Sequence, residues 1–394
     1  MKNTFPFRRI IALALAFCAC VFVLPASAEE HDPSLFIVDE SIEGQNYAAD
    51  MVFRMTLHEK VCQLFFVMPE QFSRIEKVTA YNSELGNGIK RFPVGGVILF
   101  GKNITRKKSI TNLNAGMQQA AMDACGIGLF IGVDEEGGGV SRVANSLKLS
   151  EKQPAPGKTA SADKAYESGQ VIGSYLSEYG FNLDFAPVAD VRSGAGNAEI
   201  NVRSYGSDPE LVARMAVCFS EGLRENRVIP VLKHFPGHGA VSGNTHSGTG
   251  ISQKTLEEWR EADFVPFAAG ISAGAEMVMV SHQLAVAVDP DRPASLSTKV
   301  IGILRDELGF GGVVITDALR MGAVHGSYGT GEACILALEA GVDMLLLPYN
   351  FTAAYESVMR AVADGRLEEK RIDESVLRIL TLKEKYGLLQ PARN

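Results

Sequence analysis

The chain has 394 residues, 46% of them hydrophobic, and a formal net charge of −8. It can therefore bury a substantial core, as one large α/β barrel or as two ordinary domains, and its acidity argues against nucleic acid as a partner. No long charge run or basic helix points to a membrane surface.

The first residues read as an export signal rather than as part of the fold. Lys2, Arg8 and Arg9 precede an apolar stretch over 10–24, and Ala26-Ser27-Ala28 resembles a small-residue cleavage site. The stretch is shorter than the ~20 residues a spanning helix needs. The expectation is a signal peptide over 1–28, a single domain over 29–394, no transmembrane span in the mature chain, and a periplasmic or secreted location. Ala19 before Cys20 leaves a lipid-anchored N-terminus as an alternative.

Eight short apolar runs follow, at 61–67, 95–100, 129–133, 181–187, 228–232, 277–280, 313–315 and 344–347. Each is too short for a helix and several are bounded by Gly or Pro, which favours buried strands. Their starts recur every ~30–50 residues, the spacing of βα units with some long loops. Helical patterns lie between them. Asp208-Pro209-Glu210 combines a capping side chain, a first-turn proline and an acidic start, and opens a helix over 211–223. Others are expected over 256–271, 331–338 and 372–386. The architecture is read as a TIM-type (β/α)8 barrel forming a single catalytic domain. Cys62, Cys125, Cys218 and Cys334 lack C-x-x-C spacing and lie in or beside apolar periodic segments, so they read as buried free thiols.

Polar residues follow almost every run: Asp134 and Glu136, Asp190, Lys233 and His234, Ser281 and His282, Asp317. In a βα barrel such positions face substrate, and this mixture of donors and acceptors suits an uncharged carbohydrate. Two clusters stand out. Lys233-His234-Phe235-Pro236-Gly237-His238-Gly239 follows one run, with His246 beyond it, and Thr316-Asp317 ends another. An aspartate fixed at a strand end is ionised at neutral pH and attacks without an activating base. A histidine titrates near neutrality and can both give and take a proton. The chain is read as an enzyme with Asp317 as nucleophile and His246 as proton carrier. His234, His238 and His246 do not form a zinc-binding helix face, because Pro236, Gly237 and Gly239 break any helix there, so no metal and no cofactor is expected.

Four segments carry a family resemblance: Asp134-Glu135-Glu136-Gly137-Gly138, Asn201-Val202-Arg203-Ser204-Tyr205-Gly206, the Lys233–Gly239 segment, and Thr316-Asp317-Ala318-Leu319-Arg320-Met321. In this order they resemble glycoside hydrolase family 3, in particular its single-domain β-N-acetylglucosaminidases, over about 57–388. The resemblance implies a two-step retaining mechanism in which a carboxylate attacks the anomeric carbon and water later displaces the glycosyl ester. It matches Asp317 to the nucleophile, His246 to the acid/base, and Asp134, Arg142, Arg203, Lys233 and His234 to substrate-holding residues. A plainer reading pairs Arg203 with Asp208 and leaves Arg142 solvated.

The sequence departs from that pattern at three places. The family's Asp-x-His is Asn244-Thr245-His246 here, and an amide can orient the imidazole without supplying charge. Asn244 is therefore a catalytic-support position whose change lowers the histidine's basicity, admits another acid such as Asp134 or Asp190, or weakens turnover. Glu135 replaces a common Gln and Gly139 a common Arg, both expected at the sugar pocket's edge. The resulting expectation is an exported exo-β-N-acetylhexosaminidase acting on N-acetylglucosamine-containing oligosaccharides from peptidoglycan or chitin. The alternatives are a family 3 β-glucosidase, a glycoside phosphorylase, or a catalytically weakened carbohydrate-binding protein. Oligomeric state is left open.

Overall fold

The structure, a computed structural model, describes residues 47–193, 200–242, 248 and 250–389. The expected signal peptide, Asn244 and His246 lie outside the described residues.

Eight parallel strands form the centre: β1 (Phe65–Val67), β2 (Gly96–Ile98), β3 (Phe130–Val133), β4 (Leu183–Asp184), β5 (Ile229–Phe235), β6 (Met277–Val280), β7 (Val313–Thr316) and β8 (Leu345–Leu346). From β1 to β7 each pairs with the next in chain order, and β8 pairs with β1. The ring closes where Ile315 bridges Met344 and Thr316 N donates to Met344 O at 3.0 Å. Every residue of these strands is buried, and helices cover the outside. Strands covered on both faces need apolar residues at consecutive positions, so all eight runs coincide with barrel strands and the (β/α)8 reading holds.

Two runs end differently from the expectation. Residues 61–63 close a helix, Leu57–Gln63, whose start is fixed by a reciprocal capping box between Thr56 and Glu59. Strand β5 runs on through Lys233 and His234 to Phe235, because both polar side chains find partners at the barrel mouth and need not leave the ladder.

Helix Pro209–Glu225 begins as expected, with Asp208 accepting from Glu210 N. Thr330–Ala340 and Glu369–Lys385 also appear. The expected helix over 256–271 is broken into Leu256–Glu258, a π turn over Trp259–Asp263, and Phe264–Ser272. Pro266 has no N–H for the carbonyl four residues back, and the wider turn before it accommodates that loss. Cys62, Cys125 and Cys334 are free thiols; Cys62 and Cys334 are buried, Cys125 and Cys218 only partly so.

The N-terminal end of the barrel carries its own charged cluster. Asp343, fully buried, receives Arg305 Nη2 at 2.5 Å, Arg378 Nη1 at 3.0 Å, Ser375 Oγ at 2.7 Å and Val314 N at 2.9 Å. Nearby, buried Lys383 donates to Gln63 Oε1 at 2.7 Å and lies over the Phe130 ring. Burial pulls this lysine down to about 7.

Candidate active site

The site is built from the turns that follow the barrel strands. After β3 the chain makes a small antiparallel hairpin, Glu135–Gly137 with Val140–Ser141. Its glycines are required: Gly137 has φ 96°, and a Cβ there would stand 2.3 Å from Pro154 O. Side chains alternate along such a strand. Asp134 and Glu136 therefore turn to the mouth, and Glu135 turns away.

Glu135 is wholly buried in the scaffold. It accepts Val143 N at 2.7 Å, Ala144 N at 2.9 Å and Tyr175 Oη at 2.9 Å. Burial lifts it to about 6 against the pull of those donors. The expectation that Glu135 edges the sugar pocket is thus corrected: it fastens the hairpin to the helix Arg142–Leu147. Gly139 is exposed, and a side chain there would meet open space.

Strand β5 delivers Lys233 and His234. Its pairing with β6 shifts register between Leu232 and Phe235, and such a bulge re-aims side chains at a barrel rim. Lys233 Nζ sits 2.6 Å from Glu136 Oε1 and 3.0 Å from Asp134 Oδ1, with its side chain only 2% exposed. Burial opposes the Lys233 charge, but Glu136 and Asp134 raise its pKa above the ordinary value. Arg203 completes the cluster through paired bonds to Glu136, Nε to Oε2 at 2.8 Å and Nη2 to Oε1 at 2.6 Å. This replaces the alternative Arg203–Asp208 pair. Burial alone would favour protonated Glu136, yet the Lys233 and Arg203 charges hold it well below the usual carboxylate range.

His234 is positioned by Asp190. Its ring Nδ1 donates to Asp190 Oδ2 at 2.7 Å, and Asp190 Oδ1 accepts His234 N at 3.1 Å and His238 N at 2.7 Å. The other ring nitrogen, Nε2, faces Arg203 Nη2 at 3.5 Å. Against burial, the His234 and His238 interactions keep Asp190 below its ordinary pKa. Asp190 is therefore a spent acceptor and not the substitute acid that the sequence left open. Burial in turn lowers His234. The turn after β5 approaches its neighbours closely, since a Cβ on Gly239 would lie 1.8 Å from Val191 O.

Asp317 follows β7, half-buried, its N donating to Val280 O at 2.8 Å and its Oδ1 accepting Ala318 N at 2.7 Å. Burial would raise its pKa, but the charges of His282, His234 and Lys233 and the Ala318 N–H hold it below the ordinary value. The turn after β7 is bonded to the end of β6 through Asp317 N, and the turn after β6 to the end of β5 through Ser281 N donating to Phe235 O at 2.9 Å, so Asp317 shares one mouth with the cradle. His282 holds the turn from beneath, Nε2 donating to Ala318 O at 3.1 Å and Nδ1 accepting from Ser295 Oγ at 2.7 Å.

The structure thus brings together Asp134, Arg203, Lys233, His234 and Asp317. Arg142 joins through its backbone, N to Asp134 O at 3.3 Å; its Nε is buried with no hydrogen-bond partner among the described residues. Next to Asn244 and His246, described Ser242 and Ile251 exchange two backbone hydrogen bonds of 3.0 Å. The sequence presents Glu136, Asp190 and His282 only as polar rim positions, with Asp190 also as a replacement acid, and gives none the bracing role it has here. Glu136 was within reach, because it lies two positions from Asp134 and shares its face.

A half-buried ionised carboxylate facing a cradle of fixed cations and acceptors suits covalent attack on a polyhydroxylated ligand. The known proteins this chain resembles agree in kind. Residues 56–382 match the family model described as glycosyl hydrolase family 3 N terminal domain. A β-hexosaminidase A of Pseudoalteromonas piscicida is 31% identical over 78% of this chain, which spans 56% of that relative's length. A family 3 β-N-acetylglucosaminidase from a Paenibacillus species superposes with a TM-score of 0.80 at 35% identity, covering 86% of this chain and 64% of its own. The LpqI protein of Mycobacterium tuberculosis superposes with a TM-score of 0.74 at 28% identity, covering 88% of this chain and 98% of its own. The chain belongs to glycosyl hydrolase family 3.

Proposed function

We propose that this protein is an exported, retaining exo-β-N-acetylhexosaminidase that removes terminal N-acetylglucosamine from peptidoglycan fragments or chitin-type oligosaccharides. The observation that carries the reading is Asp317, ionised and half-buried beside the Asp134–Lys233–Glu136–Arg203–His234 cluster. In the first step an Asp317 oxygen forms a bond to the anomeric carbon as the bond to the leaving oxygen breaks, and His246 gives that oxygen its proton. In the second, His246 takes a proton from water, the water oxygen bonds to the anomeric carbon, and the ester to Asp317 breaks. Asp134, Lys233, Arg203, Arg142 and His234 grip hydroxyls and the acetamido surroundings, and these contacts can tighten toward the oxocarbenium-like transition state. The segment over 1–28 directs export, with Cys20 acylation as its variant.

Release of nitrophenol from a nitrophenyl β-N-acetylglucosaminide by the mature protein tests the reading; no release despite sugar binding would overturn it. A second reading, a barrel with weakened catalysis, draws on Asn244 alone. Asn244→Asp supplies the missing charge beside His246 and is expected to move the alkaline limb of the pH–rate profile upward and raise kcat. An unchanged profile would remove Asn244 from the mechanism.

A further inference from the structure

Behind the mouth lies a layer of acids that the sugar cradle does not use. Asp184 pairs in register with Val133, one position before Asp134, so its side chain faces outward, on the same side of the barrel wall as Glu135. Both carboxyls are wholly buried. Asp184 Oδ1 accepts Glu135 N at 2.9 Å, and its Oδ2 is buried with no hydrogen-bond partner among the described residues. Tyr175, on the helix Ala162–Glu178, covers the layer and donates to Glu135 Oε1 at 2.9 Å. From the other elements, Arg142 acts on Glu135 by charge alone, while Lys233 and Asp134 act on Asp184 through the wall.

Every hydrogen-bond partner of Glu135's carboxyl is a donor. Val143 N, Ala144 N and Tyr175 Oη reach it at 2.7, 2.9 and 2.9 Å, and none of them is a cation. An ionised carboxylate satisfies all three, because it only accepts. A neutral carboxyl brings its own O–H, and two fixed amides cannot receive it. That hydrogen goes to the Tyr175 oxygen, which reverses the phenol bond and strips the Tyr175 hydrogen of its acceptor. Burial favours the neutral form and the donors favour the charged one, so Glu135 stands at about 6. Asp184 is not poised in this way. Burial and the Glu135 charge, against the Glu135 N–H, hold it well above the usual carboxylate range.

We propose that Glu135 is a positioning residue whose proton governs how firmly the mouth holds its sugar. Ionised, it ties the hairpin that bears Asp134 and Glu136 to the helix start that bears Arg142. Protonated, it gives up part of that tie, and the holding side chains lose their fixed spacing. A displacement of about 1 Å is enough to matter at such a site. The inference deepens the sugar-holding reading above and rests on it. Glu135 is sealed from the mouth, so its effect passes through its chain neighbours and the helix it grips.

The test follows N-acetylglucosamine binding by calorimetry, and nitrophenyl β-N-acetylglucosaminide hydrolysis, from about pH 5 to about pH 8 in the mature protein and three variants. Wild-type affinity is expected to fall about tenfold from pH 7 to pH 5, the factor by which a group titrating at about 6 loses its ionised form. Glu135→Gln has no proton to take, so its affinity should change less than about twofold over that range. Tyr175→Phe deletes a donor to the charged form, so the fall should move to higher pH. Asp184→Asn keeps an oxygen for Glu135 N and should leave the fall where it is. A flat wild-type profile, a fall that persists in Glu135→Gln, or one that vanishes in Asp184→Asn would overturn the proposal. If Glu135→Gln does not fold, an unmoved midpoint in Tyr175→Phe overturns it alone. Binding that falls as expected with no nitrophenol released at any pH would count against the hydrolase reading and leave the clamp standing. No binding at any pH would end both the sugar-holding reading and the clamp.

Discussion

The two ends of the barrel both bury charge, and they use it differently. At the floor, Asp343 is enclosed by Arg305, Arg378, Ser375 and a backbone N–H, so both of its oxygens are taken. At the mouth, Glu136 is saturated by Lys233 and Arg203. Its neighbours are not: Asp134 and Asp317 each keep one oxygen with no protein donor among the described residues. A saturated cluster acts as a staple. The mouth cluster is saturated only at its centre, and its outer carboxylates stay available to a ligand. In a βα barrel the floor serves stability and the mouth chemistry, and here the distinction can be read from the count of unmet acceptors.

That comparison can be broken by mutation. The largest effect is expected from Asp317→Asn, which removes the proposed nucleophile and should lower kcat by at least about 10³-fold while leaving the melting temperature unchanged, as steady-state assays and calorimetry would reveal. Next comes Glu136→Gln. It leaves Lys233 and Arg203 with a buried excess of charge, so it should cost about 3–5 kcal/mol in stability together with a loss in kcat/KM of roughly 10²-fold. Asp343→Asn at the floor should cost a similar ~3–5 kcal/mol with kcat/KM unchanged. Denaturant titration paired with kinetics separates the two, and matched losses of activity would erase the contrast.

The smallest effect concerns Lys383. Its folded pKa is lowered to about 7 from the ordinary 10.5 by burial. Between those values the unfolded chain binds a proton that the folded chain does not. Stability from this group therefore rises as pH climbs from about 7 toward 10.5, and the penalty is fully present below about 7. Lys383→Met should accordingly gain about 1–2 kcal/mol at pH 7, net of the partner lost by Gln63, and the gain should shrink toward pH 10. A gain independent of pH would assign it to packing instead.

Much of this fold was legible because parallel strands buried on both sides cannot hide their composition. The boundaries were less so. Residues 61–63 lead without a break into the apolar run that forms β1, and only the Thr56–Glu59 capping box marks them as helix. Pro266 was visible, but the π turn it accompanies has no periodicity of its own. At the site, motif order named Asp134, Lys233, His234, Arg203 and Asp317 as candidates, yet it said nothing about facing. Glu135 and Glu136 are adjacent acidic residues with opposite destinies, one bonded into a helix start and one between two cations. Strand alternation separates them, and a linear motif does not. Asp190 and His282 act on partners 44 and 36 residues away, and no local pattern encodes such distances.

The most direct measurement is the intact mass of the protein after exposure to a 5-fluoro N-acetylglucosaminyl fluoride, followed by peptide mapping. The account predicts one added fluorosugar, carried as an ester on Asp317 and lost in Asp317→Asn. A label on any other carboxylate, or full turnover with no ester in wild type and undiminished turnover in Asp317→Asn, would contradict it.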